Sequence, residues 1–254
     1  MKTSLLGAKV RGFLAIVARV KNLLALLCLL ASACASSPGV DDASPPPLEE
    51  PFRVLILGDS ISIGYTPHVR RMLAGRAVVV RPTNAKGGAA NCQGTNFGVQ
   101  HVDEWLALDG GAWDVIHFNF GLHDLKRVHP DTGKNSLEPT HPHQADPRRY
   151  EEQLRTITDA CAATGARLVF ATTTPVPPGG VRPHRDPQDP VTYNAVARRV
   201  MEEKGVAVND LFTFAAERLE GIQKPVDVHF TKEGSALLAD RVVVAVLEVA
   251  GLSE

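Results

Sequence analysis

Phe52-Arg53-Val54-Leu55-Ile56-Leu57-Gly58-Asp59-Ser60-Ile61-Ser62 is the stretch on which the fold turns. Its apolar run has strand length and does not alternate with polar residues. That pattern predicts a strand buried on both faces, as in a parallel sheet. Gly58 lets the chain turn sharply where the strand stops. Ser60 then falls at the carboxyl edge of the sheet, where open α/β folds place their ligands. A serine there can act as a nucleophile if a base reaches it.

Downstream, Thr66 as N-cap and Pro67 at the first helical position predict a helix starting near Pro67, with Gly58 to Tyr65 as a loop. Ala77 to Val80 reads as a second buried strand. Asn84 to Gly98, rich in glycine, asparagine and alanine, has no periodicity and reads as a loop. Val99, Val102 and Leu106 return to helical spacing. Trp113 to Phe120 is a third strand, ending on Gly121-Leu122-His123-Asp124. Lys126 to Pro147 carries four prolines and almost no large apolar residue, the mark of a lid or pocket wall. Its His129, His141 and His143 lack carboxylates or cysteines at ligand spacing, so we expect solvated loop histidines and no metal. Tyr150, Leu154, Ile157 and Cys161 mark an amphipathic helix stopped by Gly165. Arg167 to Thr172 is the fourth strand, Pro175 to Asp189 a loop, and Tyr193 to Met201 a helix. Val206 to Val208 is the fifth strand and Phe212 to Leu219 a short helix. Thr231 caps a last helix that turns Leu238, Val242, Ala245 and Val249 inward. Strands alternating with helices imply right-handed crossovers and a mainly parallel five-stranded sheet between helical layers.

The amino terminus differs from this pattern. Residues 1–34 carry Lys2, Lys9, Arg11, Arg19 and Lys21, no acid, and the apolar run Leu23 to Ala31, followed by Ser32-Ala33-Cys34. A basic region, a short apolar core and small residues make a secretory signal. The core is short against the roughly 20 residues of a membrane span. Ala31-Ser32-Ala33-Cys34 resembles a bacterial lipobox, so we expect a lipoprotein-type signal with Cys34 lipidated. Plain secretion after Ala33 and an uncleaved anchor are the alternatives. Residues 35–51, with several prolines and little apolar content, read as a disordered tether that holds domain 52–254 off a membrane. Export would remove five basic residues, leaving 22 basic against 28 acidic and a net charge of −6. So acidic a chain is no nucleic-acid binder. An exported protein could pair Cys92 with Cys161, but Cys161 falls on an apolar stripe, and a buried free thiol is the expectation.

Loops after strands one to three open on one sheet edge and bring Ser60, Gly94 and His123. The loop Lys224-Pro225-Val226-Asp227-Val228-His229-Phe230-Thr231 adds Asp227 and His229. That set suits acyl transfer. A histidine must take the serine proton, a carboxylate fixes the histidine tautomer, and N–H donors hold the oxyanion. The chain has no Gly-x-Ser-x-Gly elbow and no phosphate-binding glycine motif.

These residues resemble the SGNH (GDSL-type) hydrolases. The first block of that family corresponds to Gly58-Asp59-Ser60, its second-block glycine to Gly94, its third block to Gly121-Leu122-His123-Asp124, and its last to Asp227, His229 and Gly234. The resemblance implies a flavodoxin-like three-layer α/β/α sandwich. It also implies hydrolysis of acyl esters, often acetyl esters on carbohydrates, without a cofactor. Ser60, His229 and Asp227 would be the catalytic set, and Ser60, Gly94 and His123 the oxyanion hole. His123 replaces the usual asparagine. The last block reads Asp-x-His in place of Asp-x-x-His, so either Asp227 reaches the imidazole through a different backbone turn or a main-chain carbonyl orients it. The expected substrate is a small-molecule or glycan ester, with membrane contact only through the amino-terminal anchor. An acyltransferase using the same acyl-enzyme and a non-catalytic glycan-binding lipoprotein are the competing readings.

Overall fold

The computed structural model describes residues 45–252. The expected signal segment, Cys34 and residues 35–44 lie outside the described residues. Five parallel strands, β1 (Phe52–Leu57), β2 (Ala77–Val80), β3 (Val115–Phe118), β4 (Arg167–Ala171) and β5 (Ala207–Asn209), stand in the order β2-β1-β3-β4-β5. This is the flavodoxin-like order, whose direction reverses between β1 and β3. Leu57 pairs with Phe118 there, so the turns after both strands emerge side by side. All four residues of β3, and five of the six in β1, are buried. The uninterrupted apolar reading of both strands follows from that two-sided burial.

Helices α1 (Ser60–Met72) and α6 (Lys232–Ala250) pack against each other. Helices α2 (Thr95–Leu106), α3 (Pro147–Ala163) and α4 (Asp189–Glu203) pack in series, and α5 (Leu211–Ala216) follows β5. The α3 stripe is the one the spacing predicts, with Tyr150, Leu154, Ile157 and Cys161 fully buried. Burial of each such side chain is worth about 1.5–3 kcal/mol. Cys92 and Cys161 are both free and buried. No described helix is long and apolar enough to cross a membrane.

Two expectations need correction. Helix α1 starts at Ser60, a full two turns before Pro67, which lies inside it. Asp59, not Thr66, is the N-cap: its Oδ1 accepts from the Ile61 amide at 2.9 Å. Pro67 removes one helical donor. Continuous burial of Ile61, Tyr65 and Val69 along one face offsets that loss. The domain also begins before residue 52. The Leu48 amide donates to Ala250 O at 2.8 Å, Arg167 donates to Pro46 O, and Leu48 packs on the core. This segment therefore satisfies the Ala250 carbonyl at the end of α6, accepts from Arg167, and belongs to the folded unit, not to the tether.

Candidate active site

The first wall of the site is the turn between β1 and α1. Gly58 has no room for a side chain, because a Cβ would lie 3.0 Å from Ser62 Oγ. Ser62 Oγ donates to Asp59 O at 2.7 Å. Beneath the turn lies Arg81, 3% exposed. Its guanidinium donates to Ser62 Oγ, Thr66 Oγ1, Gly58 O and Ala90 O over 2.8–3.3 Å. Burial lowers its affinity for the proton, but an arginine stays charged at neutral pH. One fixed cation thus locks the nucleophile turn. Ser60 is left at the first position of α1, where the helix dipole favours negative charge.

The second wall is the loop before α6. Lys224 N donates to His229 O at 2.9 Å, and Gln223 Nε2 donates to Val228 O at 3.1 Å and Pro175 O at 2.9 Å. Val226 takes φ 54°, left-handed and strained for a β-branched residue. That turn swings Asp227 over the imidazole despite the shortened spacing. Asp227 Oδ1 accepts from the His229 amide at 3.1 Å and lies 2.6 Å from His229 Nδ1. The opposite ring nitrogen, Nε2, is 2.9 Å from Ser60 Oγ. Partial burial would raise the Asp227 carboxyl. The amide and imidazole of His229 outweigh it and hold it below the usual carboxylate range. The line Ser60–His229–Asp227 is therefore complete. Of the two orienting groups the sequence leaves open, the carboxylate is the one in contact.

Gly234 sits one turn into α6, its amide donating to Thr231 Oγ1 at 2.9 Å. A Cβ there would stand 2.1 Å from Ile222 O, a backbone atom that itself accepts from Thr231 N. Gly234→Ala is expected to destabilise the fold by about 1–3 kcal/mol through overpacking. It should also displace the His229 loop. Urea unfolding together with esterase assay checks both effects, and unchanged values in both would refute the packing argument.

The third side carries the donors. His123 faces the same cleft as Ser60 and His229. Burial, then the nearby charges of Lys126, Arg185 and His229, push its pKa down to about 3. The ring is thus neutral throughout the working range, which removes the pH dependence that a histidine here suggests. Its Nδ1 is buried without a partner. An orphaned buried N–H is rarer than an orphaned acceptor, so the proton is assigned to Nε2, on the cleft side. The Ser60 and Gly94 amides donate to no described residue. Gly94 stands at the N-cap of α2, set back from the cleft lining. A Cβ on it would meet Gln144 Nε2 at 2.7 Å and Asp124 Oδ1 at 2.9 Å.

Asp124 fixes that corner. It is fully buried, and Oδ1 accepts from Thr95 N at 2.8 Å and Thr95 Oγ1 at 2.6 Å. Burial pushes its pKa up to about 7, against the lowering effect of the Thr95 bonds. The folded state then holds a proton that the unfolded chain releases above pH 3.8, and stability falls as pH rises toward 7. Asp124→Asn removes this dependence. The stability of the wild type relative to the variant should decline by about 2–3 kcal/mol between pH 5 and 8. Urea titrations at the two pH values test it, and a difference constant with pH would reject the assignment.

Two site residues carry no motif. Arg81 is the lone cation directly after the apolar β2, and that isolation is its only sequence signal. Asn91 lines the cleft beside Ser60, with Oδ1 accepting from Gln93 N at 2.8 Å. Its Nδ2 donates to no described residue and is a further candidate donor. The irregular loops do form pocket wall. Lys126 and Asn135 come from one, Arg182 and Arg185 from the other. The loops are tied by Arg127 N to His184 O and His184 N to Ser136 O, both 2.9 Å. His143 is not a solvated histidine: Nε2 lies 2.9 Å from Asp189 Oδ2. His141 Nδ1 lies 2.8 Å from Ser136 Oγ.

A doubly wound sheet with this hydrogen-bonded line at its switch point defines an ester-hydrolysing enzyme of the serine type. The sequence agrees: residues 56–237 match the model of the GDSL-like lipase/acylhydrolase family, and the chain belongs to that family. Solved structures share the fold. One is the acetyl xylan esterase AlAXEase, 14% identical with a TM-score of 0.60 over 77% of this chain and 100% of that one. Another is the lipase/acylhydrolase from Enterococcus faecalis, 19% identical, TM-score 0.60, covering 79% and 96%. A third is an Axe2 mutant, an acetyl-xylooligosaccharide esterase from Geobacillus stearothermophilus, 17% identical, TM-score 0.58, covering 79% and 94%. No protein with a curated description matches.

Proposed function

We propose that the protein is an exported serine esterase that cleaves short acyl esters, acetyl among them, on small molecules or carbohydrates. The observation that carries the mechanism is the continuous line of contacts, 2.9 Å from Ser60 Oγ to His229 Nε2 and 2.6 Å from His229 Nδ1 to Asp227. Ser60 Oγ attacks the acyl carbon while His229 Nε2 takes its proton. Asp227 holds the imidazole in the required tautomer and stabilises the imidazolium. The oxyanion is received by the Ser60 amide and the His123 Nε2–H, each donor worth about 3 kcal/mol of barrier, while Gly94, which does not line the cleft, holds the start of α2 behind them. His229 then protonates the leaving alcohol, and water repeats the sequence on the acyl-enzyme to release the acid.

The acetyl and carbohydrate preference draws support from AlAXEase and Axe2, whose names specify acetylated xylan and xylooligosaccharides. Export and lipidation at Cys34 rest on the signal-like residues 1–34. The non-catalytic reading needs an Asp227 that misses His229, and the 2.6 Å contact takes that ground away. An active-serine phosphonate should label Ser60 in the wild type but not in His229→Ala. Absence of labelling in the wild type would end the proposal.

A further inference from the structure

The cleft beside Ser60, about 240 Å³, has an unbalanced wall. Lys126, Arg182 and Arg185 line it, and no acidic residue is among the described residues that do. Lys126 is 8% exposed and Arg185 6%. The Lys126 ammonium has no hydrogen-bond or ion-pair partner among the described residues. Arg185 spends Nε on Leu122 O at 2.7 Å and Nη1 on Pro183 O at 3.4 Å, leaving Nη2 without one. The nearest carboxylates are engaged elsewhere: Asp59 caps α1, Asp124 holds Thr95, and Asp227 holds His229. Burial lowers the proton affinity of both Lys126 and Arg185; the Arg185 charge presses Lys126 further while Asp124 relieves it, and Asp59 and Asp227 relieve Arg185 from a distance without pairing with it. The Lys126 and Arg185 stems are buried, while Lys126 Nζ and Arg185 Nη2 open on the cleft with no partner among the described residues, placed to meet a ligand.

We propose that this cationic wall binds an anionic group on the substrate, a carboxylate or phosphate a few bonds from the scissile ester. This rests on the serine esterase reading and adds the charge of the substrate to it. Lys126 and the free Nη2 of Arg185 would pair with the anion inside the cleft. Arg182, exposed at the rim, would steer it in. The apolar side chains of this cleft are Leu122, Pro183 and Val228 alone, beside three cations and two asparagines. It therefore suits a compact acid better than a long acyl tail. The anion can sit on the acyl side or on the alcohol side, and two ester pairs separate these.

The test uses the full-length chain and its Lys126→Met and Arg182→Gln variants. On the acyl side, 4-nitrophenyl hydrogen glutarate is compared with 4-nitrophenyl pentanoate. On the alcohol side, 4-acetoxybenzoate is compared with its methyl ester. Taking the anionic-to-neutral ratio of kcat/KM, and then its change on mutation, cancels the intrinsic reactivity of each ester. In one pair that ratio should fall about ten- to a hundredfold in Lys126→Met, as for a charged hydrogen bond. It should fall less in Arg182→Gln. Added salt should slow only the anionic ester of that pair in the wild type. The salt series and the exposed Arg182 decide the matter even if Lys126→Met does not fold. Ser60-dependent hydrolysis with ratios unmoved by mutation and by salt would overturn the anion site and leave the esterase standing. Failure to turn over any of the four esters, with no phosphonate labelling, would overturn both.

Discussion

Ser60→Ala is expected to lower kcat on a small activated ester by about 10⁴-fold or more. The reason is geometric. Ser60 Oγ has a single side-chain partner, His229 Nε2, at 2.9 Å, and no other described hydroxyl is within hydrogen-bond distance of that nitrogen. The fold should be untouched, because the turn is held by Asp59, Ser62 and Arg81 and not by the Ser60 hydroxyl. A second substitution, His229→Ala, should then add little, since residues acting as one unit are not additive. Esterase assay of the single and double variants, with circular dichroism as the folding control, reads both. Retention of full activity by Ser60→Ala would remove the nucleophile from the mechanism. An additive double variant would separate the two residues into independent roles.

Asp227 should show the next largest effect. Asp227→Asn can keep an oxygen toward the His229 amide, so the loop should hold its shape. It loses the charge that stabilises the imidazolium and can impose the wrong tautomer. A loss in kcat of about 10² to 10⁴ is expected. The lower part of that range is favoured because the Asp227 side chain is 42% exposed, and water screens its charge. Asp227→Ala should lose more than Asp227→Asn, because the alanine also frees the backbone turn at Val226 and leaves the His229 amide without its acceptor. Equal activity of Asp227→Asn and wild type would mean that a main-chain group, not the carboxylate, orients the histidine.

These expectations draw unequally on sequence and structure. Ser60, His229 and the parallel sheet were readable because they rest on local patterns. An apolar run ending in Gly58 marks a strand end, and Thr231 before an apolar periodicity marks a helix start. The sequence left the Asp227–His229 contact open, with a main-chain carbonyl as the rival. It depends on Val226 adopting a left-handed φ that its side chain disfavours, held by Gln223 bonds to Pro175 and Val228. The early start of α1 was hidden for a related reason. Pro67 reads locally as a helix opening, and only the burial of Ile61, Tyr65 and Val69 against neighbouring elements makes the longer helix the better solution. Leu48 gave too little apolar signal to claim residues 45–51 for the domain, whose amide partner is 202 positions away in Ala250.

The sequence by itself determined the strand–helix alternation, the sheet class and the positions of serine and histidine, because hydrophobic period and turn chemistry act over a few residues. Tertiary structure alone decided that Arg81 lies under the nucleophile turn, that His123 is kept neutral, and that Lys126 and Arg185 share one wall. Burial, proton affinity and the pairing of distant loops are properties of surroundings, and those exist only once the chain has closed on itself.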